Sequence, residues 1–138
     1  MKVLYTAEAR STGDGRSGKV ATSDGQFQAD LAVPTEMGGQ GGGTNPEQLF
    51  ASGYAACFHS ALRAVARREH AEVEGSEVDA RVGIGPNGSG GFALTVELLI
   101  SLPGVDHDLA AKLTEQAHQV CPYSNATRGN IDVTLTVR

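Results

Sequence analysis

Two cysteines, Cys57 and Cys121, stand 64 residues apart in this chain, and each lies where a thiol can meet chemistry. Cys57 sits in the apolar run Gly53-Tyr54-Ala55-Ala56-Cys57-Phe58, and Cys121 directly precedes Pro122. A buried free cysteine commonly serves as a small hydrophobe, and Cys57 admits that reading on its surroundings alone. A structural disulfide is a second plain reading. The opening Met1-Lys2-Val3-Leu4-Tyr5 shows no apolar export segment or small-residue cleavage site, so a cytoplasmic location is expected. In a reducing compartment a thiol pair is more often transient and catalytic than structural, so the expected chemistry is a thiol redox couple.

Burial raises the pKa of a thiol and makes it inert, so a reactive Cys57 needs a nearby cation. Arg16 stands out for that role, because it follows the flexible turn Gly13-Asp14-Gly15 and can be turned inward from a hairpin. Its plainer alternative is a solvated hairpin arginine. Glu47, one residue after Pro46 at a helix start, can hold a guanidinium by a two-pronged pair, or simply interact with the helix dipole. On one straight helix the ten residues from Glu47 to Cys57 span roughly 15 Å, so the two cannot touch one small ligand directly. Arg16 bridging, a bend at Gly53 or a second subunit would each resolve this.

Metal chemistry is the natural rival, since Cys57, His59, His118 and Cys121 are all ligand types. Residues two apart on a helix face roughly 200° apart, so Cys57 and His59 do not bind one ion without unwinding. His118 and Cys121 can share a face, but two ligands do not make a structural site. No metal is expected, and His59 and His70 read more simply as solvent-facing or interfacial.

The elements that must position these residues follow from pattern. With 138 residues and 40% hydrophobic content the chain is one domain's worth, although four Phe, three Tyr and no Trp leave much packing to small side chains. The net charge of −5 and the absence of a Lys/Arg stripe argue against nucleic acid, and no apolar run approaches a membrane span of about 20 residues. From Val3 to Pro34 apolar residues alternate around turns at residues 12–15 and Asp24-Gly25, which predicts a small antiparallel meander. The glycine-rich residues 38–43 suit neither strand nor helix. Asn45 then caps a helix running from Pro46 to about Arg68. Its small residues, among them Ala51, Ser52, Gly53, Ala55, Ala56, Ser60 and Ala61, allow close approach on every side, which suits burial between sheets or subunits. Strands are predicted over residues 78–84, 92–102 and 131–137, with a second helix opened by Asp106 and ending near Cys121-Pro122. The expected class is α+β.

The run Gly43-Thr44-Asn45-Pro46-Glu47-Gln48-Leu49-Phe50-Ala51-Ser52-Gly53-Tyr54-Ala55-Ala56-Cys57-Phe58 resembles the first signature of the organic hydroperoxide resistance (Ohr) proteins. The run Val120-Cys121-Pro122-Tyr123-Ser124-Asn125-Ala126-Thr127-Arg128-Gly129-Asn130-Ile131-Asp132-Val133 resembles the second, and the likeness extends from Val3-Leu4-Tyr5-Thr6 to the last strand. One departure stands at the first hairpin. The family commonly carries Gly-Gly-Arg-Asp-Gly there, whereas this chain has Gly13-Asp14-Gly15-Arg16-Ser17-Gly18.

The resemblance implies a thiol peroxidase of the wider OsmC/Ohr superfamily. It implies an OsmC-like fold in which antiparallel sheets pack around a central buried helix in an intertwined homodimer, with sites at the subunit interface. It makes Cys57 the peroxidatic cysteine, Cys121 the resolving cysteine, and Glu47 and Arg16 the catalytic glutamate and arginine. Arg16, held by Glu47, would keep Cys57 as thiolate while it attacks a peroxide; Cys57 sulfenic acid would then condense with Cys121. Dihydrolipoyl groups on lipoylated proteins are implied as the external dithiol, with no bound cofactor, and a role in the oxidative stress response follows. Leu49, Phe50, Tyr54 and Phe58 suggest a pocket favouring alkyl and fatty-acid hydroperoxides, with ordinary core packing as their alternative. Residues 38–43 are expected to form a mobile loop near the site. The alternatives are a non-catalytic redox sensor, a module that only binds an apolar ligand, and an OsmC-type peroxidase of broader preference.

Overall fold

The computed structural model describes residues 1–138, which separate into two compact units, Met1–Leu49 and Phe50–Arg138. The first is built on an antiparallel meander of β1 (Ala9–Thr12), β2 (Lys19–Thr22) and β3 (Gln28–Asp30), with Ala9 opposite Thr22 and Val20 opposite Ala29. Asp24 shapes the second turn by accepting from the Thr22 hydroxyl and the Gln26 N–H. The meander expected from alternation is present, but it starts later than Val3. Residues 1–8 form no strand, and Val3, Leu4 and Tyr5 are exposed. An alternating segment becomes a strand only where another backbone pairs with it, and nothing in the chain pairs with residues 3–7.

The glycine-rich segment hydrogen-bonds to the chain that precedes it. After a single turn of 3-10 helix at Thr35–Met37 it folds back on the chain before it, through Gly39 N–H to Pro34 O, Gly41 N–H to Val33 O and Thr44 N–H to Asp30 O. Gly39 has a steric reason to be glycine, because a Cβ there would lie 2.0 Å from Val33 O.

Asn45 ends this segment and caps α1 (Pro46–Arg68) by accepting from the Gln48 N–H at 2.9 Å. The helix runs unbroken through Gly53. In the second unit it buries one stripe, Tyr54, Phe58, Ala61, Leu62 and Val65, at the spacing of a single helix face. Ser52, Ala56, Ser60 and Arg63 on the opposite side are exposed in the single chain, so the small residues are not buried on every face.

The stripe joins a core with Leu98 and Ile100 from the sheet and Leu113 and Ala117 from the next helix. That sheet has the order β4-β5-β6. β4 (Glu77–Pro86) and β5 (Phe92–Ser101) form an antiparallel hairpin of ten pairs, whereas β6 (Val133–Val137) runs parallel to β5, with Val96 beside Val133. The expected α+β class is what the fold has, but this second sheet is mixed rather than purely antiparallel. Along β5 burial deepens from the exposed Phe92 to Leu98, Leu99 and Ile100.

α2 (His107–Val120) starts where Asp106 accepts from the Asp108 and Leu109 N–H groups. It ends at Cys121 because Pro122 disfavours helical backbone in the residue before it. Cys121 is accordingly extended (φ −66°, ψ 124°), and Pro122 opens a short further helix, α3 (Pro122–Thr127), which the sequence pattern did not predict. No helix is long and apolar enough to cross a membrane.

Candidate active site

Each unit brings one pair of the expected residues together. In the first, Arg16 lies on the 3-10 turn Gly15–Ser17 between β1 and β2, and Glu47 lies in the first turn of α1. The guanidinium donates through Nη1 to Glu47 Oε2 at 2.9 Å and through Nη2 to Oε1 at 2.7 Å, a fork-on-fork pair. Arg16 thereby holds the Glu47 carboxyl below the ordinary carboxylate range. Both partners are charged, and the planar guanidinium is fixed in direction. The displaced acid Asp14 leaves this pairing intact.

In the second unit the two free cysteines meet. Cys121 Sγ lies 3.7 Å from Cys57 Sγ, across 64 residues of sequence. Cys57 projects from the middle of α1 and is half-buried, whereas Cys121 at the α2–α3 break is fully buried. Burial pushes the Cys57 thiol up, the Tyr123 backbone N–H counters this, and the neighbouring Cys121 adds to it.

Tyr123, the residue after Pro122, whose backbone N–H reaches the Cys57 sulfur, also belongs to an aromatic cluster. Its ring packs against Phe50 at 6.1 Å and Tyr54 at 5.6 Å, and Phe50 meets Tyr54 edge-on at 6.0 Å. Gly53 makes this possible, since a Cβ there would stand 2.8 Å from Tyr123 Oη. Its role is close approach of a ring, not the bend that the distance from Glu47 to Cys57 suggested. Of the four residues expected to line a substrate pocket, Tyr54 and Phe58 are fully buried core members and offer no surface; Leu49 and Phe50 remain half-buried.

Behind Cys121 lies a polar cluster that motif reading missed. Tyr54 Oη is 2.9 Å from Ser124 Oγ and 3.1 Å from Thr127 Oγ1, and His118 Nδ1 is 2.8 Å from the same Ser124 Oγ. His118 thus bonds to a hydroxyl, and His59 does likewise through Nε2 to Ser76 Oγ at 2.9 Å. Burial pushes the His118 pKa down, Arg128 reinforces this, and Glu115 opposes it. The available signal was spacing: His118 and Ser124 stand three residues to either side of Cys121, and Tyr54 three before Cys57.

A half-accessible cysteine touching a fully buried one, on a helix packed against a mixed sheet, defines a dithiol protein of OsmC-like architecture, and residues 39–136 match the family model described as OsmC-like protein. The chain belongs to that family, in its organic hydroperoxide resistance branch. It is 56% identical to an organic hydroperoxide resistance protein of Xanthomonas axonopodis pv. citri, over 99% of this chain and 96% of that protein. An organic hydroperoxide resistance protein from Legionella pneumophila superposes with a TM-score of 0.94 at 49% identity, covering 99% of this chain and 98% of that one. The structure of OhrB from Bacillus subtilis gives 0.89 at 42% identity, covering 99% and 100%.

Proposed function

We propose that this protein is a cysteine-based peroxidase that protects against organic hydroperoxides. The observation that carries the reading is the thiol pair itself, with one sulfur reachable from outside and the second buried 3.7 Å behind it. The names of its relatives support the same substrate class.

In the first step the Cys57 thiolate attacks one peroxide oxygen, the O–O bond breaks, and the alkoxide takes a proton and leaves as the alcohol. Sulfur is oxidised to the sulfenic acid. Cys121 then attacks that sulfur, an S–S bond replaces the S–O bond, and water leaves. An external dithiol, proposed to be a dihydrolipoyl group on a lipoylated protein, reopens the bond by exchange and carries off the two electrons.

Since burial holds the Cys57 thiol up, the first step needs a positive charge to favour thiolate, and that is the role proposed for Arg16. Glu47 would keep the guanidinium oriented. Assembly as a homodimer is part of this proposal.

The test is consumption of cumene hydroperoxide and hydrogen peroxide with dihydrolipoamide, thioredoxin or glutathione as reductant, using wild type and Cys57→Ser. Fast Cys57-dependent turnover with dihydrolipoamide and the organic peroxide is expected. Absence of turnover with every reductant would overturn the peroxidase reading.

A further inference from the structure

We propose that the buried chain Tyr54–Ser124–His118 is a positioning device for the step in which Cys121 closes on Cys57; the proposal rests on the peroxidase reading above. The three side chains and the two thiols share one frame. Tyr54 lies one turn before Cys57 on α1, His118 one turn before Cys121 on α2, and Ser124 one turn after it on α3. Tyr54 and Cys57, three apart on α1, share a face, and Cys121 stands at the extended break between His118 on α2 and Ser124 on α3, so the polar contacts and the sulfur contact join the same elements.

The cluster is built where hydroxyls are costly. Tyr54 and Ser124 are fully buried and Thr127 nearly so. A Phe ring and an Ala methyl would fill a core there, whereas a buried hydroxyl is unfavourable unless paired. Each hydroxyl is paired here: Tyr54 Oη to Ser124 and Thr127, Ser124 Oγ to Tyr54 and His118, Thr127 Oγ1 to Tyr54 and to Ser124 O. Hydrogen bonds tolerate little change of length or angle, so the network fixes how α1 sits against the α2–α3 corner.

That setting matters for one chemical step. The sulfurs stand 3.7 Å apart. A disulfide needs about 2.0 Å, so closure takes a movement of under about 2 Å. Reacting atoms held this near convert an encounter into an intramolecular step. The competing fate of the sulfenic acid is a second peroxide, whose O–O bond breaks as an oxygen is transferred to sulfur, giving the sulfinic acid and an alcohol. A looser corner lengthens the life of the sulfenic acid and feeds that competitor. Attack on the first peroxide forms no bond to Cys121, so the frame's setting of the two sulfurs bears on closure rather than on that step.

Ser124→Ala removes the central oxygen of the chain, and His118→Asn alters one end of it at a half-buried position. Single-turnover oxidation with cumene hydroperoxide, quenched by alkylation and read by mass spectrometry, separates sulfenic acid, disulfide and sulfinic acid. We expect Cys57 oxidation within twofold of wild type in both variants, disulfide closure at least tenfold slower in Ser124→Ala, and a larger sulfinic fraction as peroxide is raised. Closure at the wild-type rate in both variants, with only the melting temperature lowered, would overturn the proposal and leave the network a packing feature. If wild type itself gives no oxidation with peroxide, the peroxidase reading fails instead. Diamide, which oxidises a dithiol and is itself reduced to the hydrazine, then closes the pair without peroxide, and equal closure rates for wild type and Ser124→Ala would still sink the positioning role.

Discussion

Arg16 and Glu47 meet through two parallel N–H···O contacts of 2.9 and 2.7 Å, joining the turn after β1 to the first turn of α1. The Glu47 side chain is 12% exposed and that of Arg16 is 38% exposed, so the pair is partly screened by water. Glu47→Gln is expected to cost about 1 kcal/mol at pH 7, between a solvated ion pair and a fully desolvated one. Because Arg16 depresses the Glu47 pKa, this stability is fully present above the ordinary carboxylate value of 4.5 and is lost as pH falls through the lower folded-state value. Urea melts of wild type and Glu47→Gln should therefore differ at pH 7 and converge in strong acid; a constant gap would remove the ion pair as its source.

The Cys57 thiol is pushed up by burial first and by Cys121 as well, with the Tyr123 N–H acting the other way. Cys121→Ala removes one upward influence and leaves the N–H. Alkylation of Cys57 by iodoacetamide at pH 7.5 should then run a few-fold faster in Cys121→Ala than in the reduced wild type, with the pH profile displaced to lower pH. An unchanged profile would show that the second sulfur has no electrostatic hold on the first.

Gly53→Ala sets a gain against a displacement. Alanine in a helix interior is favoured over glycine by about 1 kcal/mol. Its Cβ would meet Tyr123 Oη at 2.8 Å, but that oxygen is the tip of a partly exposed ring that can swing away. Overall stability should therefore change by less than about 1 kcal/mol, while Cys57 loses part of its cover. Faster alkylation of Cys57 at an unchanged melting temperature is the expected signature, and a large loss of stability would show the ring to be locked.

Burial first, and Arg128 as well, push the His118 pKa down, against the pull of Glu115. Its folded-state pKa lies below the ordinary 6.5, so between the two values the unfolded chain binds the proton that the folded chain refuses. Stability should consequently fall as pH drops through 6.5 and level off below the folded-state value. Melting temperatures from pH 8 to pH 5 should show this slope in wild type and lose it in His118→Asn. Parallel curves would assign the slope to other groups.

Local chemistry carried much of the fold into the sequence. Asn45-Pro46 marks the start of α1, and Cys121-Pro122 marks the end of α2, because capping and the steric demand of proline act over one or two residues. The adjacency of Cys57 and Cys121, and of Arg16 and Glu47, was reachable through chemical type and family resemblance. What stayed hidden depends on partners far along the chain. Alternation at Val3, Tyr5 and Ala7 signals extended backbone but not whether another strand is there to pair with it. The direction of β6 against β5 leaves no mark on its residue pattern. α3 is six residues of mostly weak helix formers, too short to show a period. Tyr54 reads as a pocket aromatic until Ser124 and Thr127, 70 and 73 residues away, are seen to take up its hydroxyl.

The full burial of Cys121 also decides regiochemistry. If the pair is oxidised in this frame, only one end of the disulfide faces a visiting thiol, and that end is Cys57. Exchange proceeds by attack on an accessible sulfur, with the other sulfur departing as thiolate. An incoming reductant is then joined to Cys57 alone, while Cys121 is released into the core as the leaving group. The chain thus presents its solvent with a single electrophilic atom, and any mixed disulfide trapped from it will carry its adduct at that one position.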